Sequence, residues 1–527
     1  MKKSARLSLN STDFRELADG EFFYCDKTNS IKALMEHPSK AIQLSRPQGF
    51  GKSLGLSMLY NFLSSCPGGR DLKGDTALHA RLFSGLEILQ DDFFCNQYMG
   101  QHPVIQIRFS HASFSSFELT HSVICSAIVN TAKQFSFLSQ SANLAPEDRL
   151  KYSHLVDYYH LMNHYSDLSL SLYELSRLLH LHFNRSVCLL ADDVDIPLSA
   201  AAKYGYYREL SELLSHMFTS AIDSNEYLAK AVMGAYLPLK DSLGITGCHY
   251  SDLNDNPELV TFTGFTAAEI QRIAAETGIE TDLGKLSKWY GGYQTGAGEM
   301  YSAASTLRYF YNASSNPQDP ESAYAAAWME TDRCHNLPAF LQHMYSHDAA
   351  LMKTLIDGEI GKIEKLSHVS YKDLSNRKSG GYWQYLLSVG CIAETGDGSE
   401  TGCLAVTAPN LEMRTYLAEQ VQLFFSSRNE LFCKNARYIL SALAESDPQK
   451  LANVLSWCLK TYISPGKGAP LARYHSFIAG YLECFYESEI SYISSMDGKY
   501  SGERSWLAFI YDTGEFGSKQ SGYMSLV

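Results

Sequence analysis

Five consecutive residues, Gly49-Phe50-Gly51-Lys52-Ser53, carry the parts that a nucleoside triphosphate needs from a protein. Such a ligand requires backbone N–H groups aimed at its phosphates, a cation beside the β and γ oxygens, and a hydroxyl that helps to hold magnesium. Glycines at 49 and 51 let the backbone approach without a Cβ in the way, Lys52 supplies the charge, and Ser53 supplies the hydroxyl. The usual spacing, GxxxxGK[ST], begins with a glycine; here Arg46 stands in that place, followed by Pro47 and Gln48. A GKS triplet on a surface loop arises readily by chance, so the neighbouring elements decide its meaning.

Those neighbours have the required form. An apolar strand, Ala41 to Ser45, precedes the loop, and a helix follows in which Leu54, Met58, Leu59, Phe62 and Leu63 share a face. Cys66-Pro67-Gly68-Gly69 ends that helix. Magnesium on a phosphate-loop hydroxyl is normally also held by an acidic residue ending a neighbouring hydrophobic strand. The strand expected at Val187 to Leu190, continued by Ala191-Asp192-Asp193, has that shape, which makes Asp192 the metal-associated carboxylate and Asp193 the candidate that polarises water. Alone, Asp192, Asp193 and Asp195 would read as the start of a solvated loop; paired with the phosphate loop, the two features reinforce each other.

Further strands are expected at Val104 to Phe109 and Ala229 to Met233, separated by helical stretches at 168–183 and 206–222. That alternation predicts an α/β fold with a parallel sheet and helices on both faces. A capping box, Thr266-Ala267-Ala268-Glu269, opens a helix to about Glu276, and the pattern to about residue 440 is mainly helical. The last stretch begins with helices and ends in two short strands, Ile490 to Ser494 and Trp506 to Tyr511.

The chain has 527 residues, which predicts two or three domains, and a net charge of −13, which argues against nucleic acid as the default partner. Its twelve cysteines are scattered singly and never form CxxC, the pattern of reduced thiols in a cytoplasmic setting. Met1-Lys2-Lys3 is followed by polar residues rather than an apolar stretch, and no apolar run is long enough for a membrane span. Export by a route without a cleavable signal stays open. His160 and His164 are spaced to share a helix face, but Leu161 follows the first histidine where HExxH has its glutamate, and no third ligand is evident. There is no GxSxG elbow and no recognisable cysteine nucleophile.

Taken in order, several boxes resemble the bacterial AAA-ATPase-like proteins whose loop reads RPRRFGKS and whose N-terminal box reads YxDKT. They are Asp13-Phe14-Arg15-Glu16-Leu17, Tyr24-Cys25-Asp26-Lys27-Thr28 and Arg46-Pro47-Gln48-Gly49-Phe50-Gly51-Lys52-Ser53. Leu82 to Ile88, Pro103-Val104-Ile105, Asp192 to Leu198 against DEYDKPL, and Gly264-Phe265-Thr266 with Glu269 continue the series. Trp289-Tyr290-Gly291-Gly292-Tyr293 is similar to WYDGY, and Ala408 to Arg414 to IPNxEV. In that family Arg-Pro replaces the first glycine, so the apparent defect becomes agreement. The resemblance covers about residues 10–490. It implies a P-loop NTPase domain of AAA-like type at 1–262, a helical lid or linker at 263–440, and a PD-(D/E)xK nuclease-like domain at 441–527, opened by a helix with Tyr474, His475 and Phe477.

The resemblance also implies ATP and Mg2+ as cofactors, with Arg46 to Ser53 cradling the phosphates, Lys52 neutralising them, Ser53 and Asp192 holding the metal, and Asp193 orienting water. Three departures qualify it. Asp193 replaces a glutamate, Leu237 in Met233-Gly234-Ala235-Tyr236-Leu237 stands where TGxxR offers an arginine, and Ser501 replaces the nuclease aspartate, with no Glu-x-Lys strand after it. The expectation is a Mg-dependent ATP-binding protein with slow hydrolysis coupled to conformational change, and a truncated, inactive nuclease-like end. The alternative is a non-catalytic, nucleotide-dependent interaction protein; a metal-dependent nuclease ranks below both. A protein partner or homo-oligomer is compatible with either leading reading.

Overall fold

The computed structural model describes residues 6–9, 11–69, 76–109, 114–316, 319–326, 337, 340–341, 346–366, 369–375, 379–395, 402–427, 447, 449–450, 453, 490–495, 505–512 and 519–526. The chain divides into two compact units, Met1–Leu417 and Ala418–Val527.

The first unit is built on five strands, β1 (Ala41–Ser45), β2 (Val104–Arg108), β3 (Val187–Asp192), β4 (Leu228–Ala235) and β5 (Cys248–Ser251). They lie in the order β2-β3-β4-β1-β5, and every neighbouring pair is parallel. β1 and β3 are buried at every position. Successive side chains point to opposite faces, so both faces of the sheet are covered, as the near-continuous apolar strands predict. The helices α1 (Phe14–Asp19), α2 (Asn29–Glu36) and α3 (Lys52–Leu63) supply much of one packed layer. There Leu56, Met58, Leu59, Phe62 and Leu63 meet Ile42 and Leu44 of β1 and Val232 of β4. Further helices at Phe117–Lys133, Ser171–Phe183 and Tyr207–Ile222 pack against β2, β3 and β4.

The expected strands are therefore present, with β3 and β4 each extended by two to three residues. The helical stretch 168–183 is broken at Leu170, giving Tyr165–Ser169 and Ser171–Phe183. β5 gives no signal in the sequence: it is four residues long, polar, and only partly buried at the sheet edge. The capping box forms, Glu269 N donating to Thr266 Oγ1 at 3.3 Å and Thr266 N to Glu269 Oε2 at 2.8 Å. Glu269 also pairs with Lys27 of the N-terminal box at 2.6 Å, so that box docks the helix Ala267–Thr277 onto the first residues of the chain.

The described residues of 263–417 include two small antiparallel sheets among their helices. One joins Phe265–Thr266, Gly298–Tyr301 and Tyr293–Thr295; the other joins Ala393–Glu394, Cys403–Thr407 and Gly361–Glu364. Boxes far apart in sequence meet here. Asn410 Nδ2 donates to Gly291 O at 2.8 Å, and a Cβ on Gly292, at φ +84°, would lie 2.0 Å from Pro409 O. Tyr293 hydroxyl donates to Gly390 O at 3.0 Å, and its ring meets Phe50 edge-on at 5.0 Å.

In the second unit Ile490–Ser495, Ser505–Asp512 and Lys519–Leu526 form an antiparallel sheet. The first two contain the expected strands, and the third adds to them. Tyr474, His475, Phe477 and the stretch Asp497 to Ser501, on which the nuclease-like reading rests, lie outside the described residues.

Gly390 joins the later helices to the phosphate loop: φ is +88°, and a Cβ there would sit 2.6 Å from Pro47 Cβ. Gly390→Ala should destabilise the fold by about 1–3 kcal/mol. Gly402, at φ +90° with nothing within 4 Å of an added Cβ, isolates the backbone strain. Its alanine variant should lose only about 1 kcal/mol, and equal urea-denaturation midpoints for the two variants would show that the contact with Pro47 is immaterial.

Candidate functional site

Parallel register brings the C-terminal ends of β1, β4, β3 and β2 to one edge of the sheet, where ligands of open α/β folds sit. β1 leads into the loop Arg46–Gly51. Gly49 (φ +75°) and Gly51 (φ +87°) take left-handed conformations that favour glycine, and α3 begins at Lys52. No side chain caps the N-terminus of α3, which leaves its first N–H groups directed to that edge.

The side chains of the loop divide by role. Arg46 is fully buried, and its guanidinium donates to Ser45 O, Ser251 O, Ser251 Oγ and Leu259 O at 2.6–3.0 Å. Burial lowers its pKa to about 10. It therefore tethers the loop to β5 and the Pro257–Val260 helix, which leaves its backbone facing the loop interior. Gln48 N donates to Val389 O, Ala304 N to Gly49 O, and Gly264 N to Phe50 O, so three separate segments of the later region grip the loop backbone.

Lys52 is 8% exposed. Its ammonium donates to Arg46 O at 2.7 Å and Pro47 O at 3.2 Å and lies 4.1 Å from the Tyr236 ring centroid. Burial lowers its pKa to about 8, against the opposing pull of Asp193, Asp195 and Asp192. The loop thus folds around its own lysine.

Asp192 and Asp193 end β3 at 4% and 3% exposure. Burial, and then the neighbouring charge of Asp193, raise the pKa of Asp192, while Ser53 and Arg108 act against that rise. Asp193 takes a left-handed backbone, φ +55°, a conformation that carries strain in a non-glycine residue, and its N–H donates to Asp192 Oδ1 at 3.1 Å. Gly234 on β4 leaves the room this pair needs: a Cβ there would be 3.0 Å from Asp192 Oδ1. Lys52, Ser53, Asp192 and Asp193, singled out from sequence as one set, are brought together at this edge.

Two further residues, Arg108 and Tyr371, complete the site. Arg108, the last residue of β2 and the register partner of Asp192, places Nε 3.2 Å from Asp193 Oδ2 and 3.3 Å from Asp192 Oδ2. Its Nη2 donates to Ser53 Oγ at 3.0 Å. The second is Tyr371, whose hydroxyl donates to Asp195 Oδ2 at 2.7 Å. The same oxygen accepts from Tyr236 N at 2.6 Å and Leu237 N at 3.4 Å. Leu237 itself is fully buried. A basic residue at the C-terminal end of a predicted strand was the available signal for Arg108; a tyrosine 176 residues downstream of Asp195 carries none.

His160 does find companions. His154, His160 and Asp167 each offer a ligand atom within 4.8 Å of the others, and His160 Nε2 lies 2.6 Å from Asp167 Oδ2. The rings of His154 and His160 stack at 4.0 Å and 21°, and those of His160 and His164 at 4.0 Å and 11°. In-plane lone pairs on stacked rings run side by side instead of converging, so this arrangement is a histidine stack on an aspartate. None of the eight described cysteines forms a disulfide, and six are buried.

A parallel sheet with a glycine-rich loop leading into a helix, and with paired carboxylates on a neighbouring strand end, defines a P-loop-like α/β domain. Residues 9–242 match the family described as "Predicted AAA-ATPase". The chain is also 20% identical over 484 residues to an uncharacterized protein in the vnfD 5′ region of Azotobacter chroococcum mcd 1. That alignment covers 90% of this chain and 81% of the relative. Among the described residues no helix is long and apolar enough to cross a membrane.

Burial raises the pKa of Asp195 to about 6. As pH rises from 4 to 6 the unfolded chain loses this proton and the folded one keeps it, so Asp195 withdraws about 3 kcal/mol of stability across that window. Oδ1 has no hydrogen-bond partner, so Asp195→Asn can keep its oxygen on Tyr236 and Tyr371 and place its amide nitrogen there. The variant should gain stability relative to the parent between pH 4 and pH 7. A denaturation-midpoint difference that is the same at both pH values would contradict this.

Proposed function

We propose that residues 1–262 bind ATP with magnesium and hydrolyse it slowly, and that the bound state is transmitted to residues 263–417. The observation that carries this reading is the convergence of Lys52, Ser53, Asp192 and Asp193 at the C-terminal edge of the sheet. The backbone of the loop and the open N–H groups of α3 receive the phosphates, Lys52 turns from the carbonyls of Arg46 and Pro47 onto their oxygens, and Asp193 orients the attacking water. The donor set fits a divalent cation: one hydroxyl and two buried carboxylates already gather around a positive group, the Arg108 guanidinium. Ser53 and Asp192 would hold magnesium, which when bound neutralises charge on the β and γ oxygens.

Transmission has a physical route. Tyr236 touches Lys52 with its ring and Asp195 with its amide, and Asp195 holds Tyr371. Movement of Lys52 onto a phosphate removes one face of that contact. Val389, Gly390, Ala304 and Gly264, all on the later segments, touch the loop itself.

The alternative, nucleotide binding without turnover, is favoured by the buried Leu237, which offers no arginine from that position, and by the engagement of Asp193 with Arg108, which occupies the carboxylate that would orient water. Lys52→Ala should weaken binding of a fluorescent ATP analogue about tenfold to a hundredfold, and unchanged affinity would sink the nucleotide reading. Steady-state phosphate release that disappears in Asp192→Ala marks an ATPase; tight binding without release in the parent protein marks the non-catalytic alternative.

A further inference from the structure

We propose that Arg108 is a built-in occupant of the divalent-cation place, so that the metal enters only by displacing its guanidinium. The inference rests on the reading of Ser53 and Asp192 as the metal-holding pair.

Three oxygens define the place, Ser53 Oγ, Asp192 Oδ2 and Asp193 Oδ2, and Arg108 reaches all three with two nitrogens at 3.0–3.3 Å. A magnesium ion lies about 2.0–2.1 Å from each oxygen it binds and demands near-octahedral surroundings. A guanidinium within hydrogen-bonding distance of the same oxygens fills that volume, so the two occupants exclude each other. Electrostatics explains why an occupant is needed. Two adjacent carboxylates at 4% and 3% exposure repel one another and have lost their water. One guanidinium relieves the pair, and arginine suits the task because its planar fork satisfies several oxygens without losing its charge.

Arg108 is also placed to leave. Its side chain is 31% exposed, in contrast to the carboxylates it pairs with. Its remaining contact, Nη1 to Thr12 Oγ1 at 3.5 Å, is long and lies at the exposed end of the group. The backbone of Arg108 is held by β2 in register with Asp192, so only the side chain has to swing. The entering cation then carries two charges where the guanidinium carried one, and the freed arginine is available to phosphate oxygens.

The test is a titration of Mn2+ into the full chain without nucleotide, with free Mn2+ read by electron paramagnetic resonance. Arg108→Gln should bind one Mn2+ at least tenfold more tightly than the parent, since a competing positive charge has been removed from the site. Arg108→Lys, which keeps the charge but loses the fork, should fall between them and serves as the readout if the glutamine variant does not fold. Mn2+ affinity in Arg108→Gln or Arg108→Lys equal to or weaker than that of the parent overturns the proposal. So does parent protein that binds the ATP analogue equally well in Mg2+ and in EDTA, because the guanidinium would then be serving in place of the metal. If Mn2+ tightens as expected while neither protein binds the nucleotide analogue, the cation place stands and the ATP reading fails.

Discussion

Two carboxylates on consecutive residues, buried at the end of a central strand, set the terms for everything around them. Asp192 and Asp193 cannot sit side by side out of water without a cation, and the fold brings two to that edge. Lys52 arrives from the neighbouring loop and Arg108 from the next strand. Gly234 leaves the space, the left-handed turn at Asp193 aims the second carboxylate, and the parallel register delivers all of them to the same side. The strain at Asp193 is tolerated because its carboxylate and amide are both engaged.

The phosphate loop is correspondingly held from outside. Its backbone is bonded to Val389, Ala304 and Gly264, Pro47 packs on Gly390, and Phe50 packs on Tyr293. Segments separated by more than three hundred residues thus form one wall of the loop. Within this unit the distinction between a sheet that binds and later helices that respond is a matter of a few contacts, with Asp195 linking Tyr236, the residue after β4, to Tyr371.

Local signals made the sheet and the loop legible. A five-residue apolar strand, a glycine-lysine-serine turn and an amphipathic helix are contiguous, and the acidic end of β3 follows its own apolar run. What escaped depended on non-local geometry. Arg108 acquires meaning only through the β2–β3 register, and Tyr371 only through a contact across 176 residues. β5 and the small antiparallel strands after residue 263 are two to five residues long, too short for alternation to show. The place of Arg46 in the motif assigns it to the phosphate cradle; that its guanidinium is directed to the oxygens of Ser45, Ser251 and Leu259 is something spacing does not encode.

That arginine changes what motif repair means here. Replacing Arg46 by glycine would make the loop conform to the common pattern on paper. In the molecule it would remove four hydrogen bonds from a fully buried side chain and strand the carbonyls of Ser251 and Leu259 in the core. The edge strand and the loop would come apart at their shared anchor. A more orthodox signature would thus produce a poorer loop, and similarity to a consensus is a misleading guide to redesigning it.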